Sequence, residues 1–155
     1  MNIGDICPEF EGINQFNQSI KSKEFIGKKY LVIFFYPKDF TPGCTAEVCG
    51  FRDNYEQFKE LNCEVIGISA DSISRHHSFT QKYNLNYHLL SDSNKKIRKI
   101  FKVPAHLFGI IPGRVTYVID LEGKICGINN ALADAHSHIK FALNSLKNQF
   151  LNISP

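Results

Sequence analysis

The feature that most constrains the fold is an uninterrupted run of apolar, β-branched and aromatic side chains from Tyr30 to Tyr36. Such a run is typical of a central strand covered on both faces of a sheet. Pro37 has no backbone N–H to donate, so it ends the strand. A second alternating segment, residues 63–69, stops at Asp71 and predicts another central strand.

The remaining pattern alternates between helices and short strands. Helices are expected from about Thr41, over Ser72–Tyr83, Asn94–Lys102 and Ala135–Phe150, and further strands over Phe10–Ile13, Tyr87–Leu90, Arg114–Asp120 and Lys124–Ile128. The first helix should be one continuous amphipathic element, with an apolar stripe at Cys44, Val48, Phe51, Tyr55 and Phe58. Together these elements predict an α/β fold, a central mixed β-sheet flanked by helices, in a single domain spanning residues 1–155.

Charge and hydropathy exclude several functions. The net charge is +3, and the densest basic cluster lies on a short predicted helix: Lys95, Lys96, Arg98 and Lys99. We interpret that cluster as a solvated face, so nucleic acid is not an expected partner. Neither a secretory signal nor an apolar stretch of roughly 18 residues is visible, which favours a cytosolic location and no membrane partner. Five cysteines in that compartment are expected to be free, catalytic or metal-binding.

Cys44 has the local surroundings of a reactive thiol. Thr41 suits a helix N-cap and Pro42 the first helical position, which makes Cys44 the third helical residue. The unpaired N–H groups and the positive end of the helix dipole there favour thiolate over thiol. Gly43 adds no side chain that would block a small oxidant. The alternative is that Cys44 is a core thiol on the apolar stripe.

The segment Pro37-x-x-x-Thr41-x-x-Cys44 resembles the active-site motif of the peroxiredoxins. The wider run from Tyr36 to Asp53 is similar to the bacterioferritin-comigratory protein, or peroxiredoxin Q, subfamily. The similarity continues through further short motifs: Gly4-Asp-x-x-Pro8, Gly67-Ile-Ser-x-Asp71, Leu90-Ser-Asp92 and Arg114-Val-Thr-Tyr-Val-Ile-Asp120. It therefore covers most of the chain.

The resemblance implies a thioredoxin-like fold and an antioxidant thiol peroxidase that needs no cofactor and reduces hydrogen peroxide and organic hydroperoxides. Cys44 would be the peroxidatic cysteine. Thr41 would hold the peroxide, Pro37 would shield the sulfenic acid, and Gly43 and Arg114 would complete the substrate pocket. Without the resemblance, Arg114 would be interpreted as a surface residue at a strand end.

The resemblance also assigns Cys49 as the resolving cysteine, which forms a disulfide with Cys44 that thioredoxin or a similar dithiol reduces. Five residues of helix separate two Cα atoms by about 8.6 Å, whereas a disulfide tolerates about 7 Å. We therefore expect residues 41–50 to unwind in each cycle, helped by Gly50. Alternatively, Cys49 has no function, or it is half of a metal site, for which two cysteines alone supply too few ligands.

Other residues carry weaker signals. Glu47, placed in the first helical turn, would support the pocket. Cys7, Cys63 and Cys126 are expected to be small buried apolar residues. The histidines, including His76-His77 and His136-x-His138, are interpreted as surface residues rather than metal ligands.

Two functional alternatives and one departure remain. A dithiol oxidoreductase normally uses Cys-x-x-Cys, which is absent, and a peroxide sensor would need the same Cys44. Residues 103–113 differ from the longer, more polar loop of the subfamily, so peroxide preference is open. A monomer is favoured over a dimer, because resolution within one chain needs no partner.

Overall fold

The computed structural model describes residues 1–106, 111–132 and 134–153. Its strands are β1 (Glu11–Asn14), β2 (Ser19–Lys21), β3 (Tyr30–Phe35), β4 (Cys63–Ser69), β5 (His88–Ser91), β6 (Ala105–His106), β7 (Ile111–Pro112), β8 (Val115–Ile119) and β9 (Ile125–Asn129). Its α-helices are α1 (Pro42–Asp53), α2 (Tyr55–Glu60), α3 (Ile73–Tyr83), α4 (Lys96–Ile100) and α5 (Ala135–Ile153). None of these helices is long and apolar enough to cross a membrane.

The main sheet is mixed, as the sequence predicts, with strands in the order β2-β1-β5-β4-β3-β8-β9. Strand β3 lies next to the parallel β4 and the antiparallel β8. All of its side chains are buried, because alternate residues enter different cores. The even-numbered side chains pack with α1, α2, α3 and α5, and the odd-numbered ones pack with α4 and the N-terminal segment. This packing places α1, which follows β3, in the core that the even-numbered side chains enter.

The predicted first helix is divided into α1 and α2. Asn54, between them, has φ −106° and ψ 6°, and its side-chain amide donates a hydrogen bond to the carbonyl of Gly50 at 2.8 Å. Asparagine competes in this way with the regular helical hydrogen bonds. The apolar stripe nevertheless continues across the break, because Phe51 and Phe58 are both fully buried.

Two further segments differ from the sequence-based expectation. The strand predicted over residues 10–13 is present as β1, which starts and ends one residue later and pairs with β2, a strand that the pattern did not reveal. In α4 the expected solvated basic face is wrong for Arg98, which is 9% exposed. Its guanidinium donates to the carbonyls of Gly113 at 3.1 Å and Tyr36 at 3.3 Å, so it supports the chain just after β3.

The loop before Arg114 contains the short antiparallel pair β6 and β7, where the sequence predicted irregular structure. Residues 107–110, at the centre of the segment that departs from the subfamily, lie outside the described residues.

Candidate active site

The candidate site lies where β3 passes into α1. Thr41 is the N-cap of α1 with extended backbone angles (φ −80°, ψ 150°), and Pro42 is the first helical residue, as predicted. The hydrogen bond from the N–H of Thr45 to the carbonyl of Thr41, at 2.8 Å, begins the helical series. The N–H groups of Gly43 and Cys44 precede it and have no partner within the helix. Cys44 therefore lies at the positive end of the helix dipole.

Arg114 contacts the sulfur of Cys44 directly. Antiparallel pairing of Phe35 with Val115 brings the residue before β8 beside the end of β3. The Nη2 group of Arg114 donates to Cys44 Sγ at 3.3 Å, while its Nε donates to the carbonyl of Leu132 at 2.8 Å. Cys44 is only 1% exposed. A guanidinium that is held beside a buried sulfur stabilises a thiolate. The location of Arg114 at the end of a strand did not by itself predict this contact.

Glu47 holds the other side of the guanidinium. Its Oε1 accepts a hydrogen bond from Arg114 Nη1 at 2.7 Å, and its side chain is fully buried. Glu47 lies in the second turn of α1, not in the first as the sequence indicated. Burial raises the pKa of this carboxyl to about 8, even though Arg114 lowers it. Burial alone would lower the pKa of Arg114, but Glu47 and Cys44 raise it overall.

Thr41 and Gly43 lie beside Cys44 at the start of α1. The Thr41 hydroxyl donates to the carbonyl of Lys38 at 2.9 Å, so its oxygen lone pairs remain able to accept a proton donor. A Cβ added to Gly43 would lie 3.3 Å from Arg114 Nη2. Glycine therefore leaves room beside the guanidinium. Pro37 is half-buried at the beginning of the same loop.

A buried hydrogen-bond network anchors this loop. The Asp39 carboxylate accepts from the Tyr36 hydroxyl at 2.6 Å and contacts His76 Nδ1 at 2.5 Å, and the side chains of all three are fully buried. The interpretation of His76 as a surface residue is therefore wrong. It lies three residues before the buried Phe79 on α3, a spacing that could have indicated an inward position.

The next residue, Phe40, has a left-handed backbone (φ 67°) and packs edge-to-face against Phe79 at 4.9 Å. This contact and the network fix the backbone directly before Thr41.

His138 is also buried, where the sequence indicated a surface residue. Its Nδ1 lies 2.7 Å from Thr116 Oγ1 and its Nε2 lies 2.7 Å from the carbonyl of Ala131. The same Nδ1 is 3.6 Å from Glu47 Oε2. Its position directly before Ile139 on α5 gave no sign of a polar partner, because Thr116 and Ala131 both lie outside the helix.

Cys49 lies on the same unbroken helix as Cys44 and is partly buried. Helix geometry places their Cα atoms about 8.6 Å apart, so this conformation does not bring the pair within disulfide range. Burial raises the pKa of Cys49. Next to it, a Cβ on Gly50 would lie 2.8 Å from Ile139 Cδ1, so Gly50 also allows α5 to approach α1 closely.

The other cysteines have the character of core residues. Cys7 and Cys63 are buried, Cys126 is partly buried, and none of the three contacts Arg114 in the described part of the chain. Burial raises the pKa of Cys7 to about 12 and that of Cys126 to about 11, and it raises the pKa of Cys63 further. These thiols are protonated at neutral pH.

One group of side chains is compact enough to be considered for a metal. Ligand atoms of Asp39, Asp71 and His76 lie within 4.8 Å of one another. Their oxygens and nitrogens already take part in hydrogen bonds or an ion pair, including the contacts of Asp71 with Ser69 and Arg75. The donor set is occupied by protein groups, so it serves to hold the loop.

Comparison with known proteins places this geometry in a family. The model of the AhpC/TSA family matches residues 3–128. The chain is 46% identical over 144 residues to the chloroplastic peroxiredoxin Q of Gentiana triflora; the match covers 93% of this chain and 66% of that protein. The chain thus spans slightly less than two thirds of that relative's length.

Solved structures show the same fold. The peroxidoxin BcpB of Mycobacterium tuberculosis superposes with a TM-score of 0.88 at 31% identity, covering 96% of this chain and 97% of that one. The bacterioferritin comigratory protein of Xanthomonas campestris, whose structures concern alkyl peroxide reduction, superposes with a TM-score of 0.82 at 25% identity, covering 90% and 91%. These similarities confirm the predicted thioredoxin-like fold.

The expected cytosolic location is contradicted by the same comparisons. The Gentiana relative and several further relatives of about 45% identity are chloroplastic forms of peroxiredoxin Q. The expectation relied on the lack of a visible secretory signal, and that observation does not distinguish the cytosol from a plastid.

Proposed function

This chain belongs to the AhpC/TSA family, in its peroxiredoxin Q group, and we propose from that membership that it is a thiol-dependent peroxidase acting through Cys44. Hydrogen peroxide and organic hydroperoxides are the proposed substrates. The observation that carries the proposal is the 3.3 Å contact between Arg114 Nη2 and Cys44 Sγ at the N-terminus of α1. No other cysteine in the described part of the chain has such a contact.

In the first step the Cys44 thiolate attacks one peroxide oxygen. The S–O bond forms as the O–O bond breaks, which gives a sulfenic acid and an alkoxide or hydroxide that takes up a proton and leaves as alcohol or water. Arg114 offers fixed donors to the charge that grows on the leaving oxygen. Thr41 accepts a hydrogen bond from the peroxide O–H, because its own proton is already donated to Lys38. Pro37 shields the product from solvent.

In the second step Cys49 resolves the sulfenic acid. Its thiol sulfur displaces the hydroxyl oxygen from Cys44, and the products are a disulfide and water. The distance across an intact helix requires the first turns of α1 to unwind. The stacking of Phe51 on Phe34, with ring centroids 4.4 Å apart, anchors the rest of the helix. Unwinding therefore has a structural limit close to Gly50.

In the third step an external dithiol reduces the disulfide. Unwinding would expose the Cys44–Cys49 bond, and thiol–disulfide exchange with thioredoxin or a similar protein would return both thiols. Both cysteines belong to one chain, so a monomer is sufficient for the cycle. Repeated turnover of this kind makes the protein an antioxidant enzyme.

Peroxide consumption by single cysteine variants tests the proposal. With thioredoxin, thioredoxin reductase and NADPH, the wild type should consume peroxide continuously, and Cys44→Ser should be inactive. Cys49→Ser should react once with peroxide and then turn over slowly. Cys126→Ser is the matched control, since this partly buried thiol lies on β9, and it should behave as the wild type. Full activity in Cys44→Ser would overturn the function, and a wild type that reacts only once would instead favour a sensor.

A further inference from the structure

The buried carboxyl of Glu47 has one oxygen that the peroxide site does not explain. Oε1 accepts from Arg114, but Oε2 is buried and has no hydrogen-bond partner among the described residues. His138 Nδ1, on α5, lies 3.6 Å from Oε2. An unpartnered buried carboxylate oxygen is costly, so its protonation state needs an explanation.

The hydrogen bonds of His138 determine which of its nitrogens carries a proton. Nε2 lies 2.7 Å from the carbonyl of Ala131, which can only accept, so Nε2 carries a hydrogen. Burial lowers the pKa of His138, which favours the neutral ring. Nδ1 then has a lone pair and accepts from the Thr116 hydroxyl at 2.7 Å. The Nδ1 lone pair is thus committed to Thr116, and the ring offers no donor to Glu47 Oε2.

A buried carboxylate oxygen that no donor reaches keeps its negative charge at a high cost. A proton on the carboxyl group of Glu47 removes that charge. Burial independently favours this neutral form, because it raises the pKa of Glu47 to about 8. The Oε1 atom remains free to accept from Arg114 in either form.

On the basis of the proposed peroxidase function, we propose that His138 is a positioning residue: it offers no donor to Glu47 Oε2 and so keeps Glu47 protonated, which prevents Glu47 from neutralising Arg114. The full guanidinium charge is then available to the Cys44 sulfur and to the leaving oxygen of the peroxide. When Glu47 loses its proton, a carboxylate competes with the reacting atoms for the same guanidinium.

Charged and titratable groups from each neighbouring element are consistent with this arrangement. Arg114, next to β8, faces Glu47 directly, and Cys44 lies on the same helix. Tyr87, just before β5, also faces Glu47, but its pKa is raised well above the ordinary value and its hydroxyl donates to the carbonyl of Val48. Asp134 acts on His138 only as a minor influence. Burial raises the pKa of Glu47 to about 8, whereas it raises that of Tyr87 well above its ordinary value.

The pH dependence of the first oxidation step tests the proposal. Single-turnover peroxide consumption by the reduced protein is measured from about pH 6 to about pH 10, and in the wild type the rate should fall about tenfold above about pH 8. Glu47→Gln is neutral at every pH, so it should lack this decline. His138→Asn should show it at a lower pH. His136→Asn, two residues away and exposed, should match the wild type.

Each alternative outcome is informative. The proposal is overturned by a wild-type rate with no decline, by a decline that persists in Glu47→Gln, or by a decline in His138→Asn at the wild-type pH. The infrared carboxylic-acid C=O band gives a readout without activity: it should be present in the wild type at neutral pH and absent from Glu47→Gln, and its absence from both would also overturn the proposal. Failure of the peroxidase function itself would appear separately, as activity in Cys44→Ser.

Discussion

Val48→Ala tests how far α1 unwinds when the disulfide forms. Val48 is fully buried between the two cysteines, and the Tyr87 hydroxyl donates to its carbonyl at 2.6 Å. If the unwound segment includes residue 48, this side chain leaves the core in every cycle. A smaller side chain would then make unwinding easier, because less apolar surface becomes exposed.

The magnitude follows from the loss of two buried methyl groups. That loss destabilises the wound form by about 2 kcal/mol, and the higher helix propensity of alanine offsets about 0.6 kcal/mol. The net effect of about 1.4 kcal/mol corresponds to about a tenfold faster resolution step if unwinding is a rapid pre-equilibrium. Faster resolution should also reduce overoxidation of Cys44 to the sulfinic acid, since the two reactions compete.

The assay follows the sulfenic acid directly. Reduced protein receives one equivalent of peroxide, aliquots are quenched with a sulfenic-acid probe and a thiol alkylating agent, and the products are quantified by mass spectrometry. Val65→Ala is the matched control, because Val65 is an equally buried valine of the same core on β4. It should lower the free energy of unfolding but leave the resolution rate unchanged. Equal rates in the two variants would refute the reasoning, since Val48 would then stay packed during resolution.

Three further changes have defined outcomes. Folding raises the pKa of Glu47 from 4.5 to about 8. The stabilisation from its protonated form is therefore fully present below pH 4.5 and is lost as the pH approaches 8. Across that window, chemical denaturation should show the free energy of unfolding of Glu47→Gln rising by up to about 5 kcal/mol relative to that of the wild type. Asp39→Ala removes the acceptor of the Tyr36 hydroxyl and the carboxylate partner of His76 Nδ1, and it should cost about 3 kcal/mol or more in urea denaturation, together with a slower peroxide reaction; Asp39→Asn should lose less. Gly43→Ala, which crowds the guanidinium of Arg114, should slow peroxide reduction about tenfold while changing the free energy of unfolding by less than about 0.5 kcal/mol.

The central strand and the start of α1 could be predicted because their signals are local. The apolar run of β3 and the Thr41-Pro42 pair each specify structure within a few residues, and the structure has a strand and a helix start at those places. The division of the helix at Asn54 was missed because an apolar stripe continues through it. Periodicity reports which face is buried and does not detect a side chain that bonds to a carbonyl of the preceding helical turn.

The supporting network of the site could not be predicted because its partners are distant in sequence. His76 meets Asp39 across 37 positions, and Arg114 meets Glu47 across 67. The spacing of His76 from Phe79 indicates an inward position, but nothing in the local sequence indicates that Asp39 is its partner. These contacts could therefore not be predicted from the sequence, because they depend on how β8 and α5 pack against α1.

The most direct test of the central claim is the identity of the disulfide formed after one equivalent of peroxide. Peptide mapping of the oxidised protein by mass spectrometry should find Cys44 linked to Cys49 within one chain, with Cys7, Cys63 and Cys126 still reduced. A bond from Cys44 to any of those three, or to a second chain, would contradict the account, because no unwinding of α1 would then be needed to complete the cycle.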